Sequence, residues 1–134
     1  MPGQAPECQA ETFTFARKPC EVPAARRFLR AVLAGHPAAE EAELLGCEIF
    51  TNAVLHALDA AKVTVTVTVS ATVVHIGVTD DGIAGVPHWR DVSLDAEGGR
   101  GFWLLNDIAA RWGFVREKAT ATSTCWFELP GEAA

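Results

Sequence analysis

The alternation of apolar and polar residues predicts several β-strands. The clearest is KVTVTVTVS, residues 62–70, in which the valines face one way and the threonines the other. After a short break a second strand follows, as in a hairpin, and it stops at Asp80, Asp81 and Gly82, residue types that favour turns. The predicted strands are residues 11–16, 62–70, 71–79, 112–117 and 123–129.

Apolar residues at helical spacing predict three helices. The first has Pro23 in its first turn and ends before Gly35. The second covers residues 38–59, with acidic residues in its first turn that suit the helix dipole, and the third covers residues 102–111. Residues 83–99 show no periodicity and are predicted to be a long loop, of the kind that often serves as a lid.

This order of elements predicts an α+β fold. Three helices would cover one face of a mixed, largely antiparallel sheet, which makes a two-layer α/β sandwich. At 134 residues and 49% hydrophobic content, the chain suits one domain with a real core, placed here at residues 11–130. We expect residues 1–10 to be disordered and residues 131–134 to form a tail.

Charge and composition exclude several function classes. The formal net charge of −6 lacks the basic surface that phosphate-backbone binding requires, which argues against nucleic acid as a ligand. No apolar run is long enough to span a membrane, and the first residues do not resemble a signal peptide, so a cytoplasmic protein is expected. The four cysteines form no C-x-x-C pair and are predicted to be reduced thiols without a chemical role.

The second helix carries a polar stripe that its folding does not require. Glu48, Asn52 and His56 follow each other at four-residue spacing, so they share one face of an otherwise apolar helix. Because a buried carboxylate costs several kcal/mol unless it is paired, the stripe is interpreted as the wall of a polar pocket. For His56, helix capping or packing is as good an interpretation as ligand contact.

A glycine-rich segment precedes the third helix. Gly98, Gly99, Arg100 and Gly101 open this helix, and glycines at such a position leave backbone N–H groups free to approach an anion. A glycine-rich turn alone is weak evidence of a site. The occurrence of the polar stripe, the Asp80 turn and this glycine-rich segment in that order along the chain is much stronger evidence.

Together these segments resemble the ATP-binding domain of the histidine-kinase-like ATPases, the Bergerat fold. The resemblance is closest to the small stand-alone anti-sigma-factor serine kinases of actinobacterial type, and it covers about residues 11–130. The segments that carry it are EIFTNAVLH at 48–56, VTDDGIAG at 78–85, EGGRGFWLL at 97–105 and CWFELP at 125–130. Leu55 stands where sensor histidine kinases often have a lysine, which favours the anti-sigma subgroup.

The resemblance implies a role for each matching residue. Asp80 would accept a hydrogen bond from the amine of adenine, with Gly82 and Gly85 in the same turn. Thr124 or its neighbour Ser123 would support the same edge of the base. Asn52 would bind Mg²⁺, and Glu48 would act as the catalytic general base. The residues implied at the phosphates are Gly99, Arg100, Gly101 and Phe102.

The function implied is that of an ATP- and Mg²⁺-dependent protein serine kinase. It would phosphorylate an anti-sigma-factor antagonist and sequester a sigma factor, and relatives of this type suggest a homodimer. One alternative keeps the nucleotide but drops catalysis, so that ATP controls a protein partner through the lid. A second alternative is an interaction domain that binds no nucleotide.

Overall fold

The computed structural model describes residues 9–57, 59–82 and 100–131. In these residues the chain forms five strands and three α-helices. In chain order they are β1 Gln9–Ala16, α1 Val22–Val32, α2 Ala39–His56, β2 Lys62–Val69, β3 Val73–Asp80, α3 Arg100–Ile108, β4 Arg111–Glu117 and β5 Thr122–Pro130. A 3-10 turn, Pro19–Glu21, directly precedes α1.

The five strands form one sheet in the order β1-β2-β3-β5-β4, and every neighbouring pair is antiparallel. Helices pack on one face, where the buried residues of α1, α2 and α3 share a single apolar core with the sheet. The α+β two-layer fold predicted from the sequence is therefore confirmed. No helix within the described residues is long and apolar enough to cross a membrane.

Strand β2 shows why the sheet has two different faces. Its first three valines are fully buried beneath the helices, whereas its threonines point to the opposite face. There Thr64 lies 2.9 Å from Thr14 of β1, hydroxyl to hydroxyl, and Thr66 accepts a longer bond of 3.4 Å from Thr12. The period-2 pattern in the sequence thus separates an apolar inner face from a polar outer face.

Helices α1 and α2 approach each other closely at Gly46. A Cβ atom at this position would lie 2.7 Å from Cδ1 of Leu29, so the absence of a side chain lets the two helices pack. An ion pair between Arg30 and Glu43 joins the same helices at the surface, with Nη2 and Oε2 2.7 Å apart. Gly35, with φ of +80°, adopts the left-handed conformation in the connection between them.

Several predicted boundaries shift in the structure. Helix α3 ends at Ile108 rather than at residue 111, because Arg111 already pairs with Glu128 in the sheet. Strand β1 begins at Gln9, two residues inside the segment for which we predicted disorder. The predicted lid, residues 83–99, lies outside the described residues, as do residues 1–8 and 132–134.

Candidate functional site

The polar stripe of α2 is only partly buried. Asn52 is 5% exposed, whereas Glu48 and His56, one turn to either side, are half-buried. Thr51, beside the stripe, donates its hydroxyl to the carbonyl of Cys47 at 2.7 Å and so serves the helix backbone. Of the three stripe residues, Asn52 therefore faces the interior most completely.

Asn52 and Asp80 line the same narrow cavity between α2 and the sheet. The remaining lining is apolar or contains sulfur, and it consists of Ile49, Ala53, Val78, Phe114 and Cys125. Both polar side chains are almost fully buried, Asn52 at 5% exposed and Asp80 at 5% exposed. A carboxylate and a carboxamide facing one apolar cavity are typical of a ligand site, because burial of such groups is costly without partners.

The sheet residues of this cavity belong to successive rows across β3, β5 and β4. In one row Val78 lies opposite Cys125, which lies opposite Phe114. In the next row, toward the end of β3, Asp80 lies opposite Ser123, which lies opposite Arg116. The inner face therefore changes within two residues from an apolar row to a row of polar groups, which we call the polar row (Asp80, Ser123 and Arg116).

Backbone contacts hold Asp80 in place at the end of β3. Its Oδ1 atom accepts the backbone N–H of Gly82 at 3.0 Å, which folds the turn back onto the carboxylate. The next residue, Asp81, turns the other way, and its Oδ1 accepts the N–H groups of Ala61 and Lys62 at 2.8 and 3.0 Å. Asp81 thus ties the connection before β2 to the end of β3.

Arg17 binds backbone groups around the C-terminal end of α2. Its guanidinium donates to the carbonyls of Val54 and Ala60 at 2.8 and 2.6 Å, and its backbone N–H donates to Ala61 at 3.0 Å. These bonds satisfy carbonyls at and beyond the C-terminal end of α2, where helical partners are missing. Arg17, the residue directly after β1, thus ties the end of that strand to the C-terminal end of α2 and to the connection before β2.

The structure distinguishes Ser123 from Thr124, which the sequence left open. Ser123 is 1% exposed and lies in the polar row on the inner face. Thr124 lies on the outer face, where its hydroxyl is 2.7 Å from that of Thr79. The structure therefore does not bring Thr124 to Asp80, because consecutive residues of a strand point to opposite faces.

Glu48 lines a different opening from Asn52. It belongs to a surface groove between α1 and α2, together with Arg26, Arg30, Glu40, Glu43, Leu44 and Cys47. The narrow cavity and this groove are separate openings, with Asn52 in the lining of the first and Glu48, one turn away, in the lining of the second. Burial raises the pKa of the Cys47 thiol in the groove, although Arg26 acts in the opposite direction.

The predicted phosphate-binding residues are placed only in part. Arg100, Gly101 and Phe102 form the first turn of α3, a helix that packs against α2. An N-terminal helical turn offers unsatisfied backbone N–H groups, as an anion site requires. Gly85 and Gly99 lie outside the described residues.

A family model described as histidine kinase-like ATPase domain matches residues 15–125, which include every residue of the narrow cavity and the polar row. The chain belongs to this family. A comparison with curated proteins gives no match. Membership of the histidine kinase-like ATPase domain family supports ATP binding by this chain.

The chemical types of the residues that line the cavity suit a nucleotide base. The apolar row of Val78, Cys125 and Phe114 offers a surface for a flat ring, and buried Asp80 offers an acceptor at its end. Asn52 contributes an amide oxygen, a ligand type that Mg²⁺ accepts beside phosphates and waters. The cavity holds only about 10 Å³, roughly the room of one water, so the lining side chains must move apart to admit a purine.

The sequence interpretation missed three residues near this histidine kinase-like ATPase site. Phe114 and Cys125 line the cavity, and Arg116 completes the polar row. Alternation within 112–117 puts Phe114 and Arg116 on one face of β4, which is a usable signal. The cross-strand partners of Phe114 and Arg116 depend on the pairing of β4 with β5, which neither segment predicts by itself.

Proposed function

We propose that this histidine kinase-like ATPase domain is a protein serine kinase of the anti-sigma type, with Mg²⁺-ATP as phosphoryl donor and an anti-sigma-factor antagonist as acceptor. The observation that carries the proposal is the pair of buried polar groups, Asn52 and Asp80, facing one cavity in a chain of this family. Sequestration of a sigma factor, dimerisation and a cytoplasmic location are part of the same proposal.

Each residue would make a separate contribution. Asp80 would accept the adenine amine while the Gly82 N–H keeps its carboxylate oriented, as in the hydrogen bond observed. Asn52 would hold Mg²⁺, which when bound neutralises phosphate charge and orients the γ-phosphoryl group. Gly85 would contribute from the segment that follows Asp80 in sequence, and the residues proposed at the phosphates are Gly99, Arg100, Gly101 and Phe102.

Glu48 would act on the protein substrate. As the serine oxygen forms its bond to the γ-phosphorus and the bond to the β-phosphate oxygen breaks, Glu48 would take the hydroxyl proton, leaving phosphoserine and ADP. The groove that contains Glu48 is open to solvent between α1 and α2, a route by which a protein segment can approach.

Nucleotide binding is tested by calorimetry with Mg²⁺-ATP. We expect the wild-type chain to bind and Asp80→Asn to lose binding, because the buried acceptor loses its charge and gains a donor toward the amine. Asp107→Asn, an exposed change of the same kind on α3, is the matched control and should bind normally. A wild-type chain that bound no ATP would support the nucleotide-free interaction domain instead.

Phosphoryl transfer is tested with radiolabelled ATP and a candidate antagonist protein. Loss of a general base typically costs about 100-fold or more in rate, so Glu48→Gln should lower transfer by at least this factor without a comparable loss of ATP affinity. Glu40→Gln, an exposed change in the same groove, is the control. An undiminished rate in Glu48→Gln would remove this residue from the mechanism.

One observation favours the alternative of an ATP-binding module without kinase activity. Glu48 and Asn52 lie one turn apart on α2 but line different openings, so in the described residues the proposed base does not share a cavity with the proposed metal ligand. In that case ATP would bind, no label would reach any serine, and ATP would change only the affinity for a protein partner.

A further inference from the structure

We propose that Arg116 is a positioning residue that makes the ATP site selective for adenine over guanine by orienting the hydroxyl of Ser123. The inference rests on the proposed binding of ATP beside Asp80. It adds to that site a residue, Arg116, and a role in adenine selectivity for this residue that does not follow from the motifs in the sequence.

The inference starts from the polar row. Asp80, Ser123 and Arg116 lie on three neighbouring strands in direct register, on the inner face of the sheet. Nη1 of Arg116 donates to Oγ of Ser123 at 3.0 Å, and Ser123 is 1% exposed. The buried hydroxyl is therefore held between a guanidinium on one side and a carboxylate on the other.

This placement decides which role the hydroxyl can play. A serine hydroxyl has one proton to donate and lone pairs that accept. An arginine only donates, so its bond to Ser123 occupies an acceptor site and directs the hydroxyl proton away from the guanidinium. The Ser123 hydroxyl is thereby set to donate on the side of the row where Asp80 lies, and Asp80 lines the cavity.

A row with an acceptor at Asp80 and a donor at Ser123 matches one purine edge. Adenine presents an amine donor at C6 and an acceptor at N1, which pair with the carboxylate and the hydroxyl in that order. Guanine presents the reverse: its C6 oxygen would oppose the Asp80 carboxylate, and its N1–H would compete with the N–H of Arg116 for the lone pairs of Ser123. Without Arg116 the hydroxyl could rotate and accept from guanine N1–H.

A purely structural role for Arg116, holding the edge strand β4 against β5, has to be distinguished from the positioning role. Arg111 provides the matched control because it lies on the same strand but contacts the outer face, where Nη1 is 3.4 Å from Oε1 of Glu128. Arg111→Met removes a positive charge and a cross-strand contact from β4 without touching the polar row.

The experiment measures the dissociation constants of Mg²⁺-ATP and Mg²⁺-GTP and compares their ratio among variants. Because both nucleotides carry the same triphosphate, the ratio cancels any general effect of charge on phosphate binding. We expect Arg116→Met to lower the preference for ATP by about two- to tenfold, the range of one ordinary hydrogen bond. Arg116→Lys, which still donates, should keep most of the preference, and Arg111→Met should keep all of it.

A double variant tests whether Arg116 acts through Ser123. Ser123→Ala should reduce the preference by a similar factor, and Arg116→Met added to Ser123→Ala should reduce it no further. The wild-type chain offers a further test. It should bind 1-deaza-ATP, which lacks the N1 acceptor, about two- to tenfold more weakly than ATP.

Three results would overturn the inference while ATP binding stands. They are an unchanged ratio in Arg116→Met, an equal change in Arg111→Met, and equal affinities of the wild-type chain for ATP and 1-deaza-ATP. Failure of the wild-type chain to bind ATP is a different result, since it would overturn the proposed function and this inference with it.

Discussion

Two of the cysteines are buried thiols that resist ionisation. Burial raises the pKa of Cys125 to about 12, and it raises that of Cys47 as well. Since the thiolate is the reactive form, both side chains are protonated and slow to react at neutral pH. Cys20, by contrast, is exposed at the 3-10 turn before α1.

We therefore predict a clear order of alkylation in the folded protein. Iodoacetamide at neutral pH should modify Cys20 well before Cys47 and Cys125, as followed by peptide mass spectrometry over time. In denaturant, where burial is lost, all three should react at similar rates. Cys20→Ser is the control that assigns the fast phase, and rapid modification of Cys125 in the folded state would contradict its observed burial.

The ion pair between α1 and α2 gives stability a dependence on pH. The hydrogen bond from Arg30 lowers the pKa of Glu43, with a smaller attraction from Arg26, against the opposing effect of burial. A folded-state pKa below the unfolded value means that the unfolded chain binds more protons between the two values. This contribution is present above the unfolded pKa and is lost as pH falls through the folded pKa.

The second prediction is that Glu43→Gln flattens the acid side of the stability curve. Thermal unfolding followed from about pH 6 to pH 3 should show a smaller fall in Tm for this variant than for the wild-type protein. Glu41→Gln, an exposed change in the first turn of α2, should keep the wild-type slope. Equal slopes in Glu43→Gln and wild type would show that the ion pair contributes nothing measurable.

At the scale of elements, the end of β5 packs tightly against the β2–β3 hairpin. Gly131 donates its N–H to the carbonyl of Thr72 at 2.8 Å, and a Cβ added to it would lie 2.4 Å from the backbone nitrogen of Val73. Backbone atoms cannot rotate away as a side chain can. Gly77 in β3 differs, since a Cβ there would meet its nearest neighbour, Cγ2 of Thr124, at an ordinary 3.6 Å.

The third prediction compares these two glycines. Gly131→Ala should lower the free energy of unfolding by about 1 to 3 kcal/mol, the usual cost of forcing extra atoms into a packed site. Gly77→Ala should change it by less than about 1 kcal/mol. Urea unfolding measures both, and similar losses in the two variants would mean that the close approach at Gly131 is relieved at little cost.

The alternation of strand residues between two faces could be predicted, but not always which face lies inside, nor which residues meet across strands. The valines and threonines of β2 show their alternation in the sequence, and the helical stripe correctly indicated that Asn52 points inward. Ser123 and Thr124 could not be distinguished, because alternation says that they differ without saying which is inside. That depends on the register of β5 against β3, set by the whole core.

Arg17 and Arg116 were missed for a related reason. Arg17 lies between the predicted strand 11–16 and the first predicted helix, and its partners at Val54 and Ala60 are 37 and 43 residues away in sequence. Arg116 acts across the β4–β5 pair. Alternation could indicate the face of β4 on which Arg116 lies, but not its partner. The backbone and hydroxyl groups that such long side chains reach take up their positions only when the chain has folded.

At the scale of the whole molecule, one core joins all three helices to the sheet. A ligand that binds only the folded chain then stabilises every element together, by about 2.7 kcal/mol at a concentration 100 times its dissociation constant. The fourth prediction is a single thermal transition whose Tm rises with Mg²⁺-ATP. Asp80→Asn should show no such rise, and a nucleotide-induced second transition would contradict the single core.

The division of β5 between two faces also restricts how this strand can change in length. Ser123, Cys125 and Phe127 point inward while Thr124 and Trp126 point outward. One residue inserted in the middle of the strand would invert everything on one side of it, unless a bulge absorbed the extra residue. Proteins that descend from this chain should therefore differ from it in β5 by substitutions rather than by single-residue insertions or deletions.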